Sequence, residues 1–236
     1  MRAVSPPRPR SRMTGSERRE QLVGVGRGLF ALRGVEGTSV EEIAARAGVS
    51  KPVVYEHFGG KEGLYAVVVD REMQTLLASI TDALNGRGGP RLLLERATLA
   101  LLDYVEASSD GFRILVRDSP VTQATGSFAS LISDIAGQVE HLLSDAFAAR
   151  GFPEQMAPMH AQMLVGMIAM TGQWWLDNRG PSKDEVAAHI VNLAWNGLSG
   201  LERAPALSRA AVRRRAAPVP APEVRAQGAG PTGPLP

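Results

Sequence analysis

The stretch GTSVEEIAARAGVSKPVVYEHFGGKEGLY, residues 37–65, decides the fold, because it sets two short helices and the start of a third between glycine stops. Thr38-Ser-Val-Glu41 and Ser39-Val-Glu-Glu42 are overlapping capping boxes, so a helix starts there and stops near Gly48. Ser50 is the expected cap of the next helix. Lys51 and Pro52 fall in its first turn, where a missing N–H and a fixed φ cost nothing. Gly59-Gly60 ends it. Ile43, Ala44, Val49, Val54 and Phe58 are spaced so that the pair buries one face, with Ala44 small enough for a close crossing and Gly48 suited to the turn. The result is a helix-turn-helix.

On its second helix Val54 and Phe58 point one way at i, i+4. Pro52, Val53 and Glu56 are left outward, with Lys51 and Tyr55 on one flank and His57 on the other. A short, flat face of this kind fits a DNA major groove. There Pro52 or Val53 meets thymine methyl groups and Lys51 reaches guanine O6/N7 or a phosphate. Glu56 repels phosphates unless it accepts from a cytosine N4, so it stays outside the contact set.

Outward from this segment the helical period continues. Leu22, Gly26, Leu29 and Phe30 predict an amphipathic helix ending near Gly34, although Gly24, Gly26 and Gly28 weaken it by up to about 1 kcal/mol each against alanine. A long helix follows from Lys61 to about Asn85, carrying Leu64, Val67, Val68, Leu76 and Leu77. Beyond Pro90 the punctuation predicts helices near 90–108, 110–118, 125–150, 154–178 and 182–201, with Ser182-x-x-Glu185 capping the last. No alternating strand pattern with hairpin turns interrupts them. The expected fold class is all-α, about nine helices: an N-terminal three-helix helix-turn-helix domain at 15–62, then a helical bundle at 63–201.

The flanks differ in kind. Residues 1–14 are Pro/Arg-rich and residues 202–236 are rich in Pro, Gly, Ala and Arg, with Arg213-Arg214-Arg215 among them; neither composition buries enough apolar surface to order itself. The net charge of +2 conceals an asymmetry. Residues 1–62 hold 11 Lys/Arg against 7 Asp/Glu, and residues 63–201 hold 9 against 15. A basic head beside an acidic body points to a polyanion at one end only, the alternative being a solvated basic tail. With 0 Cys there is no disulfide framework, thiolate site or cysteine nucleophile, and the expected compartment is the cytoplasm. No apolar run reaches the length of a membrane span, and none has the flanks of a secretory signal.

Residues 37–65, with the preceding LFALRG, resemble the tetracycline-repressor (TetR) family of bacterial transcription regulators over about the first quarter of the chain. The resemblance implies that Thr38, Ser50, Lys51, Val53, Tyr55, His57 and Lys61 touch double-stranded operator DNA, mostly at phosphates. Tyr55 offers a phenol donor on a rigid ring. Lys61 places a cation at a helix N-terminus, which the macrodipole disfavours without a nearby anion. The Thr38 hydroxyl is divided between capping and phosphate contact. The resemblance further implies a homodimer through the last two long helices, with Ala161, Val165, Ile168 and Gly172 beside Val186, Ile190, Leu193 and Leu198, and a small-molecule effector held by the C-terminal helices.

Met159, Met163, Met167, Met170 and Trp174 make one stripe at helical spacing. A stripe of this kind serves core, interface or an adaptable pocket. As a pocket with Tyr104 and Phe112 it predicts a largely apolar ligand. Catalytic readings fail. His57, His141, His160 and His189 lack metal-ligand spacing, Gly24-x-Gly-x-Gly28 lacks the dinucleotide pattern, and no Walker or G-x-S-x-G motif occurs, so neither cofactor nor metal is expected. The chain reads as a repressor released by a ligand. Its rivals are a ligand-independent architectural DNA-binding protein gripping through Arg2, Arg8, Arg10 and Arg12, and a helical small-molecule carrier.

Overall fold

The computed structural model describes residues 13–117 and 128–207. The expected basic arm up to residue 12, the start of the helix anticipated from 125, and the tail from 208 onward lie outside the described residues. The described residues up to Gly200 form one compact unit, and residues 201–207, which fall outside it, carry no helix or strand.

The described residues are all-helical: α1 (Gly15–Arg33), α2 (Val40–Ala47), α3 (Lys51–Phe58), α4 (Lys61–Leu84), α5 (Pro90–Ala107), α6 (Ser109–Val116), α7 (Phe128–Arg150), α8 (Ala157–Asp177) and α9 (Lys183–Ser199). A 3₁₀ turn, Glu154–Met156, leads into α8. α1 starts earlier than its apolar period suggests, because Thr14 and Glu17 form a complete capping box. Ser39, not Thr38, is the N-cap of α2, its hydroxyl accepting from Glu42 N at 3.1 Å. Thr38 is turned inward instead. It is 2% exposed and its hydroxyl donates to Gly34 O at 2.8 Å, so the Thr38 half of the predicted capping pair does not form. Ser50 occupies the N-cap position of α3 without a side-chain cap bond. Gly48 closes α2 at φ 65°, a left-handed conformation that a side chain resists, and its N–H returns to Ala44 O and Ala45 O.

α1 is the strut on which the N-terminal three-helix head and the body meet. Leu22, Leu29 and Phe30 are fully buried, and Phe30 meets Tyr65 of α4 edge-on with centroids 5.1 Å apart. Polar side chains of α1 also supply partners for the orphan carbonyls at the ends of the next two helices. Gln21 Nε2 donates to Ala47 O at the end of α2 (3.1 Å) and Arg19 Nη1 donates to His57 O in the last turn of α3 (3.0 Å). The Arg19 guanidinium also lies 4.5 Å over the Phe58 ring.

In the body, α7 and α8 pack side by side and α5 runs against α4 and α9. α8 turns its small residues inward. Ala161, Val165, Ala169 and Gly172 are buried, and a Cβ on Gly172 would stand 3.1 Å from Leu101 Cδ2 of α5. One expectation is corrected by this: Ala161, Val165, Gly172, Val186 and Ile190 are buried within a single chain, so they are not free to meet a second copy. Most of the larger side chains stand outside, namely Met159 (45% exposed), Met163 (58%), Met170 (55%) and Trp174 (50%) on α8, with Leu193 (66%) on α9, whereas Trp175 and Leu176 at the end of α8 are buried.

Candidate nucleic-acid interface and apolar cavity

α3 presents a partly polar outer face. Val54 is fully buried as its anchor, while Lys51, Pro52, Tyr55 and Glu56 are exposed and Val53 and His57 are half-buried. Val53 also packs against the core, so it offers an edge rather than a free side chain. Lys51 pairs with Glu41 at the start of α2, which holds the Glu41 carboxyl below its usual 4.5. Any anion that binds Lys51 therefore competes with Glu41 for it. Tyr55 is 54% exposed with its ring beside Gly60.

Lys61, the first residue of α4, donates from Nζ to Val35 O at 3.0 Å. This corrects the argument that its cation needs an anion: a carbonyl just past the end of α1 offsets it, and the ammonium keeps further donors for a phosphate. Thus Lys51, Pro52, Tyr55 and His57 lie on α3 and Lys61 begins α4, while Ser50 sits exposed at the turn and Thr38 lies beneath the surface.

The predicted ligand set does not converge. Tyr104 and Phe112 are buried in the body, whereas Met163, Met170 and Trp174 are exposed on α8 and only Met167 packs partly against the core. Tyr104 belongs to a polar joint. Its hydroxyl donates to Glu72 Oε2 at 2.5 Å, and Glu72 Oε1 receives the Arg27 guanidinium at 2.7 Å. Burial first, then the bond to Glu72, pushes the phenol's pKa well above its ordinary 10.0, so it stays a donor.

The body's open space lies elsewhere. Two apolar voids of about 40 and 150 Å³ share Leu84, Ala97, Val139, Val165 and Ile168 in their walls. The smaller reaches Leu76, Ile80 and Leu101 toward the middle of the body; the larger runs toward Pro90, Leu142 and Trp195. Sequence reasoning missed these residues because short aliphatics at helical spacing look like any core. Among the described residues no His/Cys/Asp/Glu group has the arrangement of a metal site, and no helix is long and apolar enough to cross a membrane.

The family model described as "Bacterial regulatory proteins, tetR family" matches residues 22–68, and "Tetracyclin repressor-like, C-terminal domain" matches residues 90–197. Over 199 residues the chain is 32% identical to the HTH-type transcriptional activator FasR of Mycolicibacterium smegmatis, covering 80% of this chain and 86% of that protein. It is also similar to the HTH-type transcriptional repressor KstR2 of Rhodococcus jostii, at 26% identity over 47% of this chain and 54% of that one. Among solved structures, a TetR-like transcriptional regulator from Rhodococcus sp. RHA1 superposes with a TM-score of 0.69 at 27% identity, covering 80% of this chain and all of that one.

Proposed function

The chain belongs to the tetR family of bacterial regulatory proteins, and on that premise we propose that it is a homodimeric repressor released from a specific operator by a small, largely apolar ligand. One observation carries the reading: α4 runs from Lys61 at the DNA-reading head to Leu76, Ile80 and Leu84 in the cavity wall. A helix of 24 residues spans about 36 Å, so a small tilt at the cavity end displaces the head end. Ligand and DNA then oppose one another through a single coupling free energy, and a hundredfold loss of operator affinity needs about 2.7 kcal/mol.

The exposed Met159, Met163, Met170 and Trp174 of α8, with Leu193 of α9, support a self-complementary interface between two copies. Two α3 helices, held about 34–36 Å or a multiple of one DNA turn apart, then read a near-palindrome. Lys51, Tyr55, His57 and Lys61 contact phosphates and bases with Pro52 and Val53 against thymine methyls, while Ser50 serves the turn and Thr38 supports the head from within. A second reading concerns sign. The 32% identical relative is named an activator, so the same DNA-binding step can recruit transcription where the operator lies upstream of a promoter.

Selection of binding sites from a random duplex pool tests the reading. An enriched near-palindrome, bound at about 10⁻⁸ to 10⁻¹¹ M with steep salt dependence, is the expected result. A pool that stays random contradicts it and favours the architectural protein or the carrier.

A further inference from the structure

Four helices converge on one carboxylate. Glu72 of α4 receives Arg27 of α1 on Oε1 and Tyr104 of α5 on Oε2, at 2.7 and 2.5 Å. α6 closes over it at Gly111, where a Cβ would stand 1.9 Å from Glu72 Oε2 and 2.8 Å from the Tyr104 hydroxyl. Only a glycine permits that approach. The Glu72 side chain is 14% exposed and Tyr104 is 6% exposed; Oε2 accepts the phenol's hydrogen bond, while Oε1 is met by Arg27 as a close ion pair whose Nε lacks hydrogen-bond alignment.

The joint lies between the two ends of the molecule's work. Arg27 stands on the helix whose Arg19 and Gln21 hold α3 and α2 by their C-terminal carbonyls. In the body, each partner lies within about one turn of the cavity wall or of a residue touching it. Leu76 follows Glu72 by four residues, Leu101 precedes Tyr104 by three, and Phe112, next to Gly111, meets the cavity-lining Phe128 edge-on with centroids 5.8 Å apart. A neighbouring pair, Arg71 to Glu20 with both bonds at 2.6 Å, is more exposed and more readily replaced by water.

We propose that Glu72 is a positioning residue: through Arg27 it fixes the pose in which α1 carries the DNA-reading head, and separation of α4, α5 and α6 around a ligand opens that joint. The inference rests on the operator-reading dimer described above. The Tyr104 hydrogen bond is directional, the Arg27 ion pair is short-ranged and packed helices shift between discrete arrangements, so the joint is either closed or released.

The test is half-site spacing. With the full-length protein and the operator it selects, affinity is measured by fluorescence anisotropy at fixed salt for the native operator and for versions with one central base pair inserted or removed. A rigidly posed dimer loses about tenfold or more on either change, comparable to a poor base pair in the site. Tyr104→Phe, which removes one hydroxyl and little volume, is expected to narrow that discrimination to about threefold, and Glu72→Gln to narrow it further. Arg27→Lys, which keeps a cation, is expected to stay closer to the wild type. Should Glu72→Gln fail to fold, Tyr104→Phe decides alone. Equal weakening at all three spacings, or no change at any, overturns the proposal and leaves the triad a support for folding. A wild type that enriches no operator overturns the functional reading and this proposal together.

Discussion

Replacing Gly24, Gly26 and Gly28 of α1 by alanine, one at a time, separates helix propensity from packing within a single helix. Each substitution gains about 0.8–1.0 kcal/mol of propensity. At Gly24 and Gly28 a Cβ meets nothing within 4 Å, so the gain appears undiminished, at about 2–4 °C in Tm per kcal/mol for a chain of this size. At Gly26 the Cβ would stand 2.8 Å from Leu64 Cδ2 and 3.1 Å from Leu64 Cγ, and Leu64 is 0% exposed. Displacing a side chain packed on all sides costs about 1–3 kcal/mol, which cancels or exceeds the gain. The three variants therefore split: two more stable than wild type by about 1 kcal/mol, and one between neutral and about 2 kcal/mol less stable. Urea denaturation at a fixed protomer concentration reads this directly, because association shifts the midpoint and must be held constant. If Gly26→Ala matches Gly24→Ala in stability, the close packing of α1 on α4 is not as described.

Three other outcomes are expected. Tyr55→Phe removes a hydrogen bond to a charged acceptor, about 1.5–3 kcal/mol, and so weakens operator binding more than about tenfold, while Tm stays unchanged because the ring is 54% exposed; unaltered affinity in a gel-shift titration removes Tyr55 from the contacts. Met163→Lys with Leu193→Asp places charge on the exposed apolar stripe, and analytical ultracentrifugation should then find monomer where the wild type gives dimer; a dimer that persists puts the interface elsewhere. Glu17, Glu20, Glu41 and Glu185 are held below their usual 4.5, by Thr14 N–H, Arg71, Lys51 and Ser182 N–H respectively. A lowered folded-state pKa contributes stability that is present above the unfolded value and lost as pH falls through the folded one. Tm should therefore decline on acidification below about pH 4.5, and less steeply in Glu17→Gln and Glu185→Gln; parallel profiles for variants and wild type contradict those bonds.

The head was legible because its signals are local. Capping residues, Gly48 and the first-turn Pro52 fall within a few positions of the bonds they predict, and α2 and α3 appear where those residues set them. Thr14-Gly-Ser-Glu17 is a signal of the same local kind at the start of α1. The body was less legible because α8 is apolar all round. A stripe of Met and Trp and a stripe of Ala, Val and Gly share its period, and bulk alone suggests that the larger residues face inward. α5 reverses this: it approaches closely enough at Gly172 that only small side chains fit between the helices. The Arg27–Glu72–Tyr104 joint brings together residues 45 and 32 positions apart in the sequence, beyond the range of any periodicity.

Apart from the indole of Trp195, the side chains around the two voids are plain hydrocarbon and aromatic carbon. A wall of that kind measures bulk and is nearly blind to functional groups. Each buried methylene is worth about 0.8 kcal/mol, or about fourfold in affinity, so neighbours in a homologous series differ by small, regular steps. On the proposed function, a regulator with such an interior would work as a gauge of how much of a chemical class is present, graded by molecular size, and selectivity for a single metabolite within that class would have to arise upstream, in what the cell makes.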